Sequence, residues 1–146
     1  MNHADISTLE RPIIGTHSLA TCLGILLYDE DNRRAIVAHA SAGNPIPALD
    51  ELFTIIYKNK LYDIIFKYKI FSGYYCDAAK GYNSYEIIKD HFKNYIPFNE
   101  EDIPIDANLK SSNYEANEFY FNALTGRFVT SDVLSVKENN SNIRTR

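Results

Sequence analysis

The sequence predicts an α+β sandwich, in which two main helices cover a mostly antiparallel sheet. Strand-like apolar segments outnumber helical ones, and the two segments with helical periodicity fall between groups of strands. At 146 residues, with 45% hydrophobic and 13% aromatic residues, the chain has the length and composition of one domain with its own core. We therefore expect a single domain over residues 1–134, followed by a polar, disordered tail over residues 135–146.

The first half of the chain is predicted to form a hairpin. Leu19–Tyr28 and Ala35–Ala40 are apolar runs joined by a turn at Asp31–Asn32. Because Leu23–Leu27 lacks polar alternation, its strand should be buried on both faces. Before the hairpin we expect a polar lead over residues 1–11 and a short strand at Ile13–Ile14.

Two helices are expected in the middle of the chain. In the first, Ala48–Asn59, apolar residues recur at the i, i+3, i+4 and i+7 spacing of a helix that is buried on one face. The second is predicted to begin at Asn83, as an N-cap with Glu86 three residues later, and to end at Tyr95 because Pro97 follows. The remaining predicted elements are strands at Ile64–Phe71, Ile103–Leu109, Glu118–Leu124 and Arg127–Thr130, a loop over Tyr74–Tyr82, and a turn at Thr125–Gly126.

Composition and motifs exclude several classes of function. The net charge of −4 disfavours nucleic-acid and anionic-membrane partners, which need a positive surface. No apolar run reaches the roughly 18 residues of a membrane span, and the N-terminus lacks a signal-peptide pattern. The expected location is therefore cytoplasmic, or exported without a classical signal peptide. Neither a metal-ligand motif nor a phosphate-binding loop is present, so we expect no metal and no cofactor.

The candidate catalytic residues are Cys22 and His39, which lie on opposite arms of the predicted hairpin. Cys22 lies about nine residues before the turn and His39 about seven after it, a separation that suits cross-strand neighbours. A thiol beside an imidazole is the minimum apparatus for nucleophilic acyl chemistry, because histidine can take and return the thiol proton. Either residue alone would more often be a core residue.

A family resemblance rests on the spacing of Thr16, Cys22 and His39. This region resembles the chemotaxis receptor glutamine deamidase (CheD) family, whose pattern is a Thr, a Cys six residues later, an apolar strand ending Leu-Tyr-Asp, and an Ala-His pair. Weaker similarity continues over most of the chain. The matching segments are Thr16, Cys22, Leu27–Asp29, Ala38–His39, Lys69–Gly73 and Asn122–Val129. The chain departs from the family at Ala20–Thr21, at Ser72 and over residues 110–115, where the family usually has small or glycine-rich segments.

The resemblance implies a protein-glutamine deamidase that converts side-chain Gln to Glu through a thioester. Cys22 would be the nucleophile, His39 the general base and acid, and Thr16 the residue that orients His39. Backbone N–H groups of Thr21 and Cys22 are the expected oxyanion donors. Ser72, Gly73 and Tyr74 are expected to contact the substrate, since recognition usually lies in loops.

The partner implied is a protein presenting an accessible glutamine, either a chemotaxis receptor or another target. Three alternatives stay open at this point. The chain could be a catalytically degenerate adaptor that binds a signalling protein, a secreted effector acting on a host protein, or a transglutaminase that shares the thioester intermediate.

Overall fold

A computed structural model describes residues 3–103, 116–129 and 143–145, with the backbone alone described at 98–102 and 143–145. Its two helices and nine strands confirm the predicted α+β class. The helices are α1 (Ile46–Lys58) and α2 (Ala78–Tyr95). The strands are β1 (His3–Ile6), β2 (Ile13–Thr16), β3 (Leu23–Asp29), β4 (Arg34–Ala40), β5 (Phe66–Ser72), β6 (Phe98–Asp102), β7 (Phe119–Asn122), β8 (Arg127–Phe128) and β9 (Ile143–Thr145).

The strands form two sheets. The five-stranded sheet has the order β1-β4-β3-β5-β6, and the four-stranded sheet has the order β8-β7-β2-β9. All pairings are antiparallel except β5 with β6 and β2 with β9. The prediction of a mostly antiparallel arrangement is confirmed, although it becomes two sheets instead of one.

Two hydrophobic cores lie on opposite faces of the five-stranded sheet. On one face, Leu23, Ile25 and Leu27 of β3 pack with the buried side of α1 and with Ile88 and Phe92 of α2. On the other face, residues of β3, β4 and β5 pack against the four-stranded sheet; they include Leu26, Tyr28, Val37 and Phe71. Every residue of β3 is buried, which confirms the prediction that this strand has no solvent face.

The β3–β4 hairpin that the sequence predicts is present. Leu23 pairs with Ala40, Gly24 with His39 and Asp29 with Arg34. The turn contains Arg33 with a positive φ of 54°, and Asp29 accepts a hydrogen bond from the Asn32 backbone at 3.2 Å. Residues near the far ends of both strands are thereby brought together.

Three local predictions are wrong. Residues 3–6 of the predicted polar lead form β1, because Ala4 is buried in the helix-side core and the strand pairs with β4. The second helix begins at Ala78, not at Asn83, because the Asp77 side chain caps it by accepting from the Lys80 N–H at 3.0 Å. Residues 19–22 form a turn before β3 and are not part of the strand.

The later predictions are partly covered by the described residues. Phe98–Asp102 forms a strand that was not predicted, while of the predicted strand Ile103–Leu109 only Ile103 is described. β7 and β8 lie within their predicted ranges, although Thr130 falls outside the described residues. Within the expected tail, residues 143–145 form β9 beside β2, and the other residues of 135–146 lie outside the described part.

In the part of the chain that is described, neither helix is both long and apolar enough to cross a membrane.

Candidate active site

Thr16 and His39 meet between the two sheets. Thr16 ends β2 in the four-stranded sheet, and His39 lies near the end of β4 in the five-stranded sheet. Thr16 Oγ1 is 3.1 Å from His39 Nδ1, with Thr16 0% and His39 8% exposed. The predicted contact through the Thr16 hydroxyl is therefore present, between residues that are 23 positions apart.

Cys22 lies one residue before β3 and continues its pairing with β5. The Gly73 N–H donates to the Cys22 carbonyl oxygen at 2.9 Å. Gly24 lies directly opposite His39 in the β3–β4 pairing, and Cys22 lies two residues before Gly24, on the same face of the sheet. Cys22 is therefore a diagonal neighbour of His39. Cys22 packs against the core between the sheets and is half-buried.

Cys22 and His39 line the same cavity, which has a volume of about 400 Å³ and is also lined by His3, His17 and Thr21. His3 reaches it because β1 pairs with β4 so that His3 lies opposite His39. A thiol, a buried imidazole and a hydroxyl that contacts the imidazole are thus gathered at one end of the sandwich.

Burial is the main reason that the pKa of His39 falls to about 4, with the nearby imidazoles of His3 and His17 adding to the effect. An imidazole with that pKa is neutral at pH 7. It can therefore accept a proton from a thiol or a water molecule, which an imidazolium cannot do.

The segment before Cys22 has an unusual backbone conformation. Ser18 has φ of 57° and Ala20 has φ of 46°, in a region that non-glycine residues seldom adopt. The turn is closed by the Cys22 N–H, which donates to the Leu19 carbonyl oxygen at 2.6 Å. This bond occupies the Cys22 N–H, so of the predicted pair of oxyanion donors only the N–H of Thr21, an exposed residue, stays a candidate.

Ser72 and Gly73, which were predicted to contact substrate, are not among the described residues that line the cavity containing Cys22. Ser72 pairs with Leu23 and shares its helix-side face, so its side chain points away from Cys22. Gly73 is buried, and a Cβ there would lie 2.2 Å from the Ala20 carbonyl oxygen. Gly73 therefore allows two loops to pack closely, and the substrate contacts predicted for Ser72 and Gly73 stay predictions. Tyr74 is 57% exposed, and its predicted substrate contact stays a prediction.

Asn117 is a residue of the site that the sequence did not single out. Its carbonyl oxygen accepts from the Leu19 N–H at 3.0 Å, and its Oδ1 accepts from the Tyr74 N–H at 2.8 Å. The two bonds connect the Cys22 turn to the loop after β5. Asn117 falls in a polar segment without periodicity, where no local pattern distinguishes a connecting side chain from a solvated one.

The second cysteine lies on the other side of the central sheet. Cys76 is free and half-buried, and it packs against the helix-side core. Burial raises the pKa of its thiol, and Asp77 adds to the rise. Among the described residues, no group of three or more His, Cys, Asp and Glu side chains is arranged to hold a metal ion.

Comparison of the chain with protein-family models, with curated proteins and with solved structures found no match.

Proposed function

We propose that this protein is a cysteine-dependent protein-glutamine deamidase. The observation that carries the proposal is the buried hydrogen bond between Thr16 Oγ1 and His39 Nδ1, beside a cavity that Cys22 lines. The hydrogen bond joins two strands from different sheets. Thr16, His39 and Cys22 are also the three residues on which the family resemblance rests. The comparisons with known proteins neither add to the proposal nor oppose it.

The hydrogen bond assigns a role to each nitrogen of His39. When Nδ1–H donates to the Thr16 hydroxyl oxygen, Nε2 carries a lone pair and acts as the base. Burial that lowers the pKa of His39 to about 4 keeps this nitrogen unprotonated at neutral pH. Thr16 is then a positioning residue that acts through His39.

The reaction proceeds in two steps. Cys22 Sγ transfers its proton to His39 and attacks the side-chain carbonyl carbon of glutamine, and His39 returns the proton to the departing ammonia. The resulting thioester is attacked by a water molecule that gives a proton to His39. The C–S bond breaks, the thiol regains its proton, and glutamate is released. The Thr21 N–H stabilises the developing oxyanion.

The direct test is intact-protein mass spectrometry of candidate target proteins, with receptor helices among them. Each Gln→Glu conversion adds about 1 Da, and we expect this gain with the wild type and with Cys76→Ser, but not with Cys22→Ser. Modification that persists in the Cys22→Ser variant would contradict the mechanism. An added primary amine found attached to the glutamine, in place of hydrolysis, would assign transglutamination.

Cysteine labelling tests the chemistry without a known substrate. With iodoacetamide at pH 7, we expect Cys22 to react faster than Cys76, whose pKa is raised by burial. His39→Ala should remove most of the advantage of Cys22, while Cys76→Ser should leave its rate unchanged. Equal, slow labelling of both thiols would favour the non-enzymatic adaptor.

A further inference from the structure

A second cavity adjoins the one that contains Cys22. Its volume is about 570 Å³, and it is lined by His17, Ser18, Ala20, Tyr74, Asn117 and Glu118. The first three also line the Cys22 cavity. The segment from His17 to Ala20 therefore forms the wall between the two cavities, and together they are larger than one glutamine side chain requires.

Glu118 gives the second cavity a negative charge. It is the one acidic side chain among the described residues that line the two cavities. Its carboxylate accepts a hydrogen bond from the Tyr120 hydroxyl at 3.5 Å, a length at which such a bond is weak. Since Glu118 is exposed, its carboxylate can pair with an incoming cation.

The other lining groups suit the same ligand. The exposed ring of Tyr74 offers a face for a cation–π contact. The Tyr74 backbone is held in place because its N–H donates to Asn117 Oδ1, and the Asn117 carbonyl oxygen also accepts from the Leu19 N–H. A carboxylate and an aromatic ring that line the same cavity, beside the Cys22 turn, suit an ammonium or guanidinium group.

We propose that the second cavity binds a lysine or arginine side chain that flanks the target glutamine on the same polypeptide. The inference rests on the proposed function, because it places that glutamine at Cys22. A chain segment rises about 3.3 Å per residue when extended, so a flanking residue enters the adjoining cavity when the glutamine is seated. An ammonium group can also come from a free amine, and the experiment distinguishes the two sources.

The experiment measures how fast charged affinity labels alkylate Cys22 in a Cys76→Ser background. The probes are bromoacetyl-Ala-Lys-amide, bromoacetyl-Ala-Glu-amide and bromoacetyl-Ala-Ala-amide. We expect the Lys probe to react roughly three- to fivefold faster than the neutral probe, as one exposed ion pair allows. Glu118→Gln should bring the two rates together, and Glu118→Lys should make the Glu probe the faster one.

Glu10→Gln is the matched control. It removes the same charge at an exposed position between β1 and β2, at the far end of both strands from His3 and Thr16. This variant should keep the wild-type preference for the Lys probe. A preference that survives Glu118→Gln would overturn the proposal, because another group would then bind the cation. An equal fall in both variants would also overturn it, by assigning the effect to overall charge.

The source of the cation is tested by competition with 1,5-diaminopentane. We expect the diamine to slow the Lys probe only weakly and not to be joined to glutamine in a target protein. Strong competition together with incorporation would overturn the proposal in favour of an amine cosubstrate. Because labelling does not require turnover, a failure to deamidate would refute the proposed function and leave the result on cation binding intact.

Discussion

At the level of single residues, the buried side chains of Thr16 and His39 are hydrogen-bonding partners of one another. Buried polar groups without partners cost free energy, so the two side chains stabilise the junction of the sheets as well as the site. The same burial that lowers the pKa of His39 keeps it a base at neutral pH.

Replacing Thr16 by Val should remove this hydrogen bond while keeping the volume of the side chain. We expect a loss of about 1 kcal/mol in the free energy of unfolding and slower alkylation of Cys22, because His39 loses its fixed orientation. Thr16→Ser keeps a hydroxyl and should restore the labelling rate. Urea unfolding and iodoacetamide kinetics measure the two effects, and wild-type labelling in Thr16→Val would show that Thr16 is only structural.

Acid should destabilise the fold through His39. The folded chain resists protonation down to a pKa of about 4, whereas the unfolded chain takes up the proton near pH 6.5. The contribution of His39 to the free energy of unfolding is thus fully present above about pH 6.5 and is lost as the pH falls toward 4. At pH 4.5 the loss should be about 2 kcal/mol.

The check is urea unfolding of the wild type and of His39→Gln between pH 7 and pH 4.5. The difference between their free energies of unfolding should shift in favour of the variant as the pH falls, because glutamine does not titrate. A constant difference across this range would mean that His39 titrates normally in the folded state.

At the scale of elements, the turn before β3 carries backbone strain. Ser18 and Ala20 both have positive φ, and a side chain in that region costs roughly 1 kcal/mol. The bonds from Asn117, Gly73 and Tyr75 to this turn hold it in place. Strain that is maintained by surrounding contacts is typical of functional sites.

Ala20→Gly should therefore stabilise the protein, by about 0.5–1 kcal/mol, because glycine adopts positive φ without steric cost. Ala79→Gly is the matched control: the same change at an exposed position in α2 should destabilise by up to about 1 kcal/mol. Thermal unfolding of both variants measures the two signs. Destabilisation by Ala20→Gly would mean that the turn is not strained at this residue.

At the scale of the whole molecule, the central sheet stands between two cores, and the aromatic residues between the sheets position the site. The Phe71 ring packs on Phe119 at 4.6 Å and on Phe128 at 5.7 Å between centroids. Phe119 pairs with Thr16 in the four-stranded sheet. The packing of these rings therefore sets how close Thr16 comes to His39.

Phe71→Ala should cost about 3–5 kcal/mol in the free energy of unfolding, because it opens a cavity between the sheets. It should also slow the alkylation of Cys22, since the four-stranded sheet loses its fixed position over β4. Leu9→Ala, at a side chain that is 74% exposed, should change neither quantity. Urea unfolding and labelling kinetics report both, and a loss below 1 kcal/mol would contradict the packing argument.

Features that depend on nearby residues could be predicted from the sequence. The uninterrupted apolar run of β3 predicts its burial on both faces, the helical spacing around Leu52 predicts α1, and the turn residues predict the hairpin that brings Cys22 toward His39. Each follows from a period of two or 3.6 residues, or from a turn, and such signals extend over only a few positions.

The way in which the two sheets meet could not be predicted from the sequence and follows from tertiary packing. The bond from Thr16 to His39, the occupied N–H of Cys22, the linking role of Asn117 and the charge of Glu118 beside the second cavity all arise where distant segments pack together. No periodic pattern in the sequence predicts such contacts. They depend on the shapes of side chains from strands that are separated by many residues, and these shapes fit together only after both cores have formed.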